Sequence, residues 1–291
     1  MDNQITFNYY PFGKTKALTM SFDDGRVFDR RLVKMFNEYG IKGTFHINTS
    51  RLGQEGFIKA EELRDLYDGH EVSLHTHTHP TLAYMPKQQI LYEITKNKSK
   101  SKSKSILETL TKQVICGMSY PNGSFGSNVT EQLKATGVLY SRTTLSTGKF
   151  ALPDDFLLWH PTIHYLRGTA AWSPNVQYDP ALLMKKAKEF AEWPEWLNDL
   201  PLMQVWGHSY ELEDNNSWNE MEEFCGYISG CNTIWFAQNI QVVDYVNAVR
   251  GLRVSTECDV AYNPSAVDVW IGVNNQPVHI PAGKTVALSG Q

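Results

Sequence analysis

Apolar and polar positions fall along the chain in blocks that read alternately as strand and helix. An apolar stretch over 18–22 has the length of a buried strand and stops in Asp23, Asp24 and Gly25. Val27, Leu32, Met35 and Phe36 then mark one face of a helix that closes at Gly40, where glycine supplies a C-cap. Residues 42–48 carry the next strand, 59–67 the next amphipathic helix and 71–74 a third strand. The same reading places strands at 114–118, 138–143, 156–159 and 202–206, and helices over 129–135, 180–192 and 239–252. Helices between successive strands are the crossovers that parallel pairing requires, so the order predicts an α/β fold with helices outside a parallel sheet.

From Val254 onward the texture changes. Short alternating segments at 255–262, 267–273, 276–280 and 285–288 are split by Asn263-Pro264, Asn274-Asn275 and Pro281-Ala282-Gly283. The expected organisation is a main domain over 1–252 and a β appendage over 253–291, too short for a core of its own and packed on the main body. One block fits neither texture. Residues 88–110 look helical at both ends, but 96–105 alternate lysine with serine or asparagine and have no apolar face to bury. Such a run reads as a solvated helix or surface loop rather than a site for polyanions.

Composition narrows the function classes. The chain has 291 residues, 42% hydrophobic and 20% charged, which suits a soluble globular protein with a sizeable core. Its 27 basic and 31 acidic residues give a formal net charge of -4, so no electrostatic case exists for nucleic acid or an anionic membrane as partner. No apolar run approaches a membrane span. The N-terminal stretch, residues 1–15, has neither a basic nor an apolar region of the secretory kind. Localisation stays open: cytoplasmic if the chain is complete, exported if a signal peptide has been removed. Cys116, Cys225, Cys231 and Cys258 have no zinc-site spacing and read as small hydrophobes. Aromatic residues make up 12% of the chain, and either core packing or a sugar-binding cleft would use them.

Candidate chemistry gathers where strands stop, at the end where open and barrel α/β sheets place active sites. Asp23 and Asp24 put two like charges side by side, which is costly unless a cation or proton sits between them; ordinary turn chemistry is the bland alternative. The strand at 71–74 runs into His75-Thr76-His77-Thr78-His79, where His75 and His79 can converge on one metal if the backbone turns and His77 points away. The fourth strand runs into Ser119-Tyr120-Pro121-Asn122-Gly123, whose backbone amides would suit an oxyanion hole. The late strand ends in Trp206-Gly207-His208.

These pieces, in this order, resemble the polysaccharide deacetylases of the NodB homology domain, carbohydrate esterase family four. Residues 21–25 match its Thr-Phe-Asp-Asp-Gly motif, 75–79 its His-Ser/Thr-x-x-His motif, 120–123 its Pro-Tyr-Gly motif and 206–208 its Leu-x-His motif. The resemblance implies a deformed (β/α) barrel of about seven strands and one divalent metal, zinc first with cobalt or nickel as alternatives. It implies Asp24, His75 and His79 as metal ligands, Asp23 as general base, His208 as general acid, and Tyr120, Pro121, Asn122 and Trp159 as oxyanion or substrate contacts. The implied substrate is an N- or O-acetylated carbohydrate; a small non-sugar amide on the same fold, or carbohydrate binding without catalysis, are the rival readings. Two positions depart from the family pattern. Ser119 stands where an Arg usually pairs with the base, and the carboxylate that orients the catalytic His has no clear match, Asp155 with Trp159 lying in the plausible region.

Overall fold

The strands of the computed structural model begin with β1 (Ile5–Thr6). Next come β2 (Lys16–Asp24), β3 (Gly43–Ile47), β4 (Glu71–Leu74), β5 (Gly117–Ser119) and β6 (Tyr140–Arg142). They are followed by β7 (Ile163–His164), β8 (Leu202–His208) and β9 (Ile234–Phe236). The tail holds β10 (Arg253–Val254), β11 (Val260–Tyr262), β12 (Val269–Val273), β13 (Gln276–Ile280) and β14 (Thr285–Ala287). The structure describes residues 3–95, 103–165, 179, 181–194 and 199–288.

Strands β2 to β9 pair in parallel in one sheet, along the path β6-β5-β4-β3-β2-β8-β7, with β9 beside the start of β2. The seven strands of that path form the curled, partly closed barrel that the resemblance implies. Helices Asp29–Glu38, Leu63–Leu66, Ser127–Ala135 and Leu182–Ala191 lie in the crossovers. Their apolar stripes cover the outer face of the sheet, where Leu18, Met20, Phe22, Phe45, Ile47, Val72, Leu74, Met118 and Val205 share one core with Leu32, Phe36, Leu133 and Phe190.

The inner face is polar. Residues opposite one another in register point the same way, and the register sets Asp23 beside His46 and His208, and Ser21 beside Thr44 and Trp206. Thr44 pairs with Glu71, His46 with Ser73 and Ser119 with Arg142. These side chains are buried, so each must find a hydrogen bond to offset its lost hydration. They find it in one another. Arg142 Nε donates to Ser21 Oγ (3.0 Å), which lies 2.9 Å from His46 Nε2, while Thr44 Oγ1 and the Tyr140 hydroxyl donate to Glu71 (2.9 and 2.7 Å). Burial pushes Glu71 up to about 7 against those hydrogen bonds, and drives His46 down to about 3.

Some element boundaries differ from expectation. Residues 156–159 make no regular strand: Phe156–Leu158 is a 3-10 turn capped by Asp155, whose carboxylate accepts from the Leu157 amide (2.8 Å), and only a single bridge links Arg142 to Trp159. The helix over 59–67 is a 3-10 turn, Ala60–Glu62, followed by one α turn, Leu63–Leu66. The 88–110 region holds two helices, Lys87–Ile94 and Ser103–Thr111; residues 96–102 of the lysine/serine run lie outside the described residues.

The tail strands form two small sheets, β1-β12-β13 and β10-β11-β14. Strand β1 pairs with β12 (Ile5 opposite Val273), so the first residues of the chain and its last segment build one structure. Its core of Val269, Ile271, Val273 and Ile280 packs on Ala248 of helix Asn239–Arg250. Among the described residues, no helix is long and apolar enough to cross a membrane.

Candidate active site

The C-terminal ends of β2, β4, β5 and β8 meet at a cavity of about 320 Å³, whose lining includes Asp23, Asp24, His75, His79, Asn122 and His208. Residues 185 apart in sequence face each other here because β2 and β8 are neighbours in the sheet, with Asp23 directly opposite His208.

Asp24, His75 and His79 come together with their donor atoms within 4.8 Å of one another. His75 Nε2 lies 3.5 Å, and His79 Nε2 3.9 Å, from Asp24 Oδ1. Bringing them there costs backbone freedom: Asp24 (φ 81°), Thr76 (φ 62°) and His79 (φ 63°) all sit in the left-handed region that non-glycine residues avoid, a strain characteristic of functional sites. Thr76 is the turn that swings His79 back toward His75. Buried Glu93 holds that loop, accepting from the amides of His77 and Thr78 (3.0 and 2.7 Å) and from the Thr78 hydroxyl (2.8 Å). His77 does not line the cavity; its Nδ1 meets Thr49 Oγ1 at 3.0 Å.

The hydrogen bonds fix which His75 nitrogen is free to ligate. Ser119 Oγ donates to Asp23 Oδ1 (2.9 Å) and so accepts from His75 Nδ1–H (2.7 Å), which also reaches the Ser119 carbonyl (3.1 Å). That tautomer leaves the Nε2 lone pair aimed at Asp24 and His79. Burial lowers the pKa of His75 and favours the neutral ring, the form that binds metal. Two imidazole nitrogens and one carboxylate suit a divalent transition metal with coordination positions to spare, so the residues fit the cofactor that the sequence implies.

Asp23 is 2% exposed. Burial pushes its carboxyl up, but the Arg142 guanidinium, then His75 and His46, outweigh that and hold it well below the usual carboxylate range. Arg142 is the residue that sequence reading missed. It stands fully buried on β6 and pairs with Asp23 Oδ2. Ser119 Oγ occupies the other Asp23 oxygen, and the guanidinium comes from Arg142, the register partner of Ser119 on the neighbouring strand.

His208 has a comparable support. Its Nδ1 lies 3.2 Å from Glu211 Oε1, and Glu211 Oε2 accepts from the His208 amide (2.9 Å) and meets His164 Nε2 (2.9 Å). Burial alone would lower the pKa of His208; the Glu211 charge, then Asp24 and Asp23, raise it to about 9. Burial likewise works against the Glu211 carboxylate, and the two histidines bring it down to about 2. The next residue, Ser209, donates to Asp29, which also accepts from the Tyr67 hydroxyl (2.6 Å), tying the segment after β8 to the first helix.

The carboxylate beside His208 is thus Glu211, while Asp155, in the region left open by the sequence, caps the turn after it. A His-x-x-Glu spacing at the start of a helix was the available signal, because the third helical position folds back on the capping residue. Trp159 is not brought to the cavity. It is 1% exposed and packs edge-on against Tyr140 and Phe156, and the tryptophan that faces the cavity is Trp206. Tyr120 and Asn122 do line it, with Pro121 buried between them; Tyr120 donates to the Leu157 carbonyl (2.7 Å), and Asn122 (φ 56°) turns the chain along the rim.

Residues 12–141 match the profile of the family described as polysaccharide deacetylase. Among solved structures, a Mycobacterium smegmatis protein assigned as a polysaccharide deacetylase superposes with a TM-score of 0.61 at 16% identity, over 85% of this chain and 96% of that one. A Pseudomonas aeruginosa PAO1 protein of the same assignment gives 0.60 at 16% identity, over 78% and 89%. The allantoinase PuuE gives 0.62 at 14% identity, over 80% and 91%. At these identities the likeness is one of fold. Among curated proteins, no sequence match is found. The matched segment contains the carboxylate pair, both histidines and the Tyr120 turn, and ends one residue before Arg142. Residues 12–141 thus carry the sequence pattern of the polysaccharide deacetylases and the described residues carry the fold of their solved structures, which together support a deacetylase-like hydrolase.

Proposed function

We propose that this chain removes an acetyl group from a carbohydrate by metal-dependent hydrolysis. The observation that carries the reading is the meeting of Asp24, His75 and His79 in the same cavity as a buried, charge-paired Asp23 and His208. Asp24, His75 and His79 would hold the metal. When bound, a divalent ion there lowers the pKa of water and polarises a carbonyl.

The rest of the chemistry belongs to the chain. Asp23, kept ionised by Arg142 and Ser119, takes the proton of the attacking water. The backbone amide at Asn122 donates to the carbonyl oxygen as negative charge builds there. His208, kept protonated by Glu211, delivers a proton to the leaving atom. An amine must be protonated to depart and a sugar hydroxyl needs this less, so the protonated His208 favours an N-acetyl over an O-acetyl substrate. The cavity size favours a compact group at the centre, since about 320 Å³ lies at the low end of the roughly 300–1,000 Å³ range of small-molecule sites. That same observation supports a second reading, hydrolysis of a small non-sugar amide, and the fold shared with an allantoinase accommodates it.

The experiment strips the protein of metal, restores zinc, cobalt or nickel, and measures acetate released from acetylated chitooligosaccharides and acetylated xylan. Metal-dependent release from either supports the proposal. Absence of release with metal demonstrably bound, together with turnover of a small non-sugar amide, would transfer the assignment to the second reading.

A further inference from the structure

The two proposed proton-transfer groups stand on adjacent strands, yet their supports come from opposite ends of the sheet path, Arg142 from β6 and His164, through Glu211, from β7. One ring lies between those supports. The Trp206 indole stacks on the His164 imidazole, centroids 4.2 Å apart and planes 20° from parallel, and the Arg142 guanidinium carbon lies 4.4 Å from its ring centroid. The register places Trp206 between His164 of β7 and Ser21 of β2, and Ser21 accepts from Arg142 Nε, so the two groups approach the indole from the two neighbouring strands. Its rotation is fixed as well. Trp206 Nε1 and the His164 amide both donate to Ser146 Oγ (3.3 and 3.0 Å).

We propose that Trp206 is a positioning residue that braces the acid arm against the base arm through one indole, holding His164 and Glu211 behind His208 on one side and Arg142 behind Asp23 on the other. The proposal rests on the acid and base roles assigned above. It adds that the two arms are mechanically coupled, so that disturbing one side of the ring is felt on the other. The groups facing His208 are Glu211 and Tyr210 from the helix after β8, His164 from β7, and Asp23 and Asp24 from β2. Asp29 acts on it from the first helix, and Arg26 lies over the Tyr210 ring at 5.0 Å. Of these, His164 stacks on Trp206 and ties Glu211 to it, and the indole also meets the His208 ring edge-on with centroids 5.8 Å apart, so it can affect His208 both through that pair and by direct contact.

The test compares Trp206→Leu with Trp206→Phe, reading the His208 imidazole by NMR titration of the metal-free protein and steady-state kinetics of the metal-loaded one. For the Leu variant, we expect kcat to fall about 100-fold, the scale of a misplacement of roughly 1 Å, with KM nearly unchanged. The His208 midpoint should fall by a unit or more, and Trp206→Phe, which keeps a flat ring, should recover most of both effects. A Leu variant that raises KM alone, with the His208 midpoint in place, would reduce Trp206 to a cavity wall and overturn the proposal. If the Leu variant does not fold, Arg142→Lys decides: it keeps the charge beside Asp23 but loses the stacked plane. A lowered His208 midpoint in that variant supports the brace, and an unchanged one refutes it. Because the titration uses neither substrate nor metal, its outcome is separable from failure of the deacetylase assignment, which would appear as a wild-type protein without acetate release.

Discussion

Replacing Glu211 with glutamine removes one charge with almost no change of volume, and its effect on His208 can be worked through. In the native protein His208 titrates at about 9 against an ordinary 6.5. The difference corresponds to about 3 kcal/mol favouring the protonated ring. Because the folded value is raised, this contribution to stability is fully present below pH 6.5 and is lost as pH rises through 9. Without the carboxylate, burial pulls the ring down while Asp23 and Asp24 still pull it up, and the ordinary 6.5 is a fair reference for the variant. At pH 8 the protonated fraction then falls from about nine-tenths to about 3%, so kcat/KM for an N-acetyl substrate should drop roughly 30-fold. At pH 6 the same variant should retain more than about half of native activity. The assay is acetate release between pH 5.5 and 10, with thermal melts across the same range to follow the loss of pH-dependent stability. A drop of equal size at pH 6 and pH 8, or an alkaline limb still near 9, would refute the role given to Glu211.

Other consequences follow from the same geometry. Arg142→Met leaves Asp23 buried without its guanidinium partner; a loss of about 3–5 kcal/mol is expected, seen as a large fall in melting temperature, with Arg142→Lys intermediate. Chelation should abolish activity while raising the unfolding rate, and added divalent metal should raise the melting temperature with concentration as a ligand specific to the folded state does. Asp24→Ala, which removes one of the three proposed ligands, should lose that metal-dependent shift. Trp159→Ala should cost about 3–5 kcal/mol of stability and leave KM unchanged after allowance for the folded fraction.

The amino-acid sequence by itself determined the alternation of strand and helix, hence a parallel sheet, and the placement of Asp23, Asp24, His75, His79, Tyr120 and His208 at strand ends. Those features are local, since periodicity and turn chemistry are written within a few residues of each other. It also marked the change of texture after Val254. What it could not decide is which distant side chains meet. The apolar run at 18–22 is one face of a strand whose other face, Thr19, Ser21 and Asp23, joins a polar barrel interior. That interior depends on register with a strand 185 residues away. Arg142 looks like any strand residue until the folded sheet brings it to Asp23, and the sequence leaves Trp159 between core and sugar platform until it is found packed against Tyr140 and Phe156. Ligands and acid–base groups lie next to recognisable motifs because backbone geometry presents them. Their supporting charges do not, because desolvation requires only that a partner lie within reach, from whichever strand the folded sheet places there.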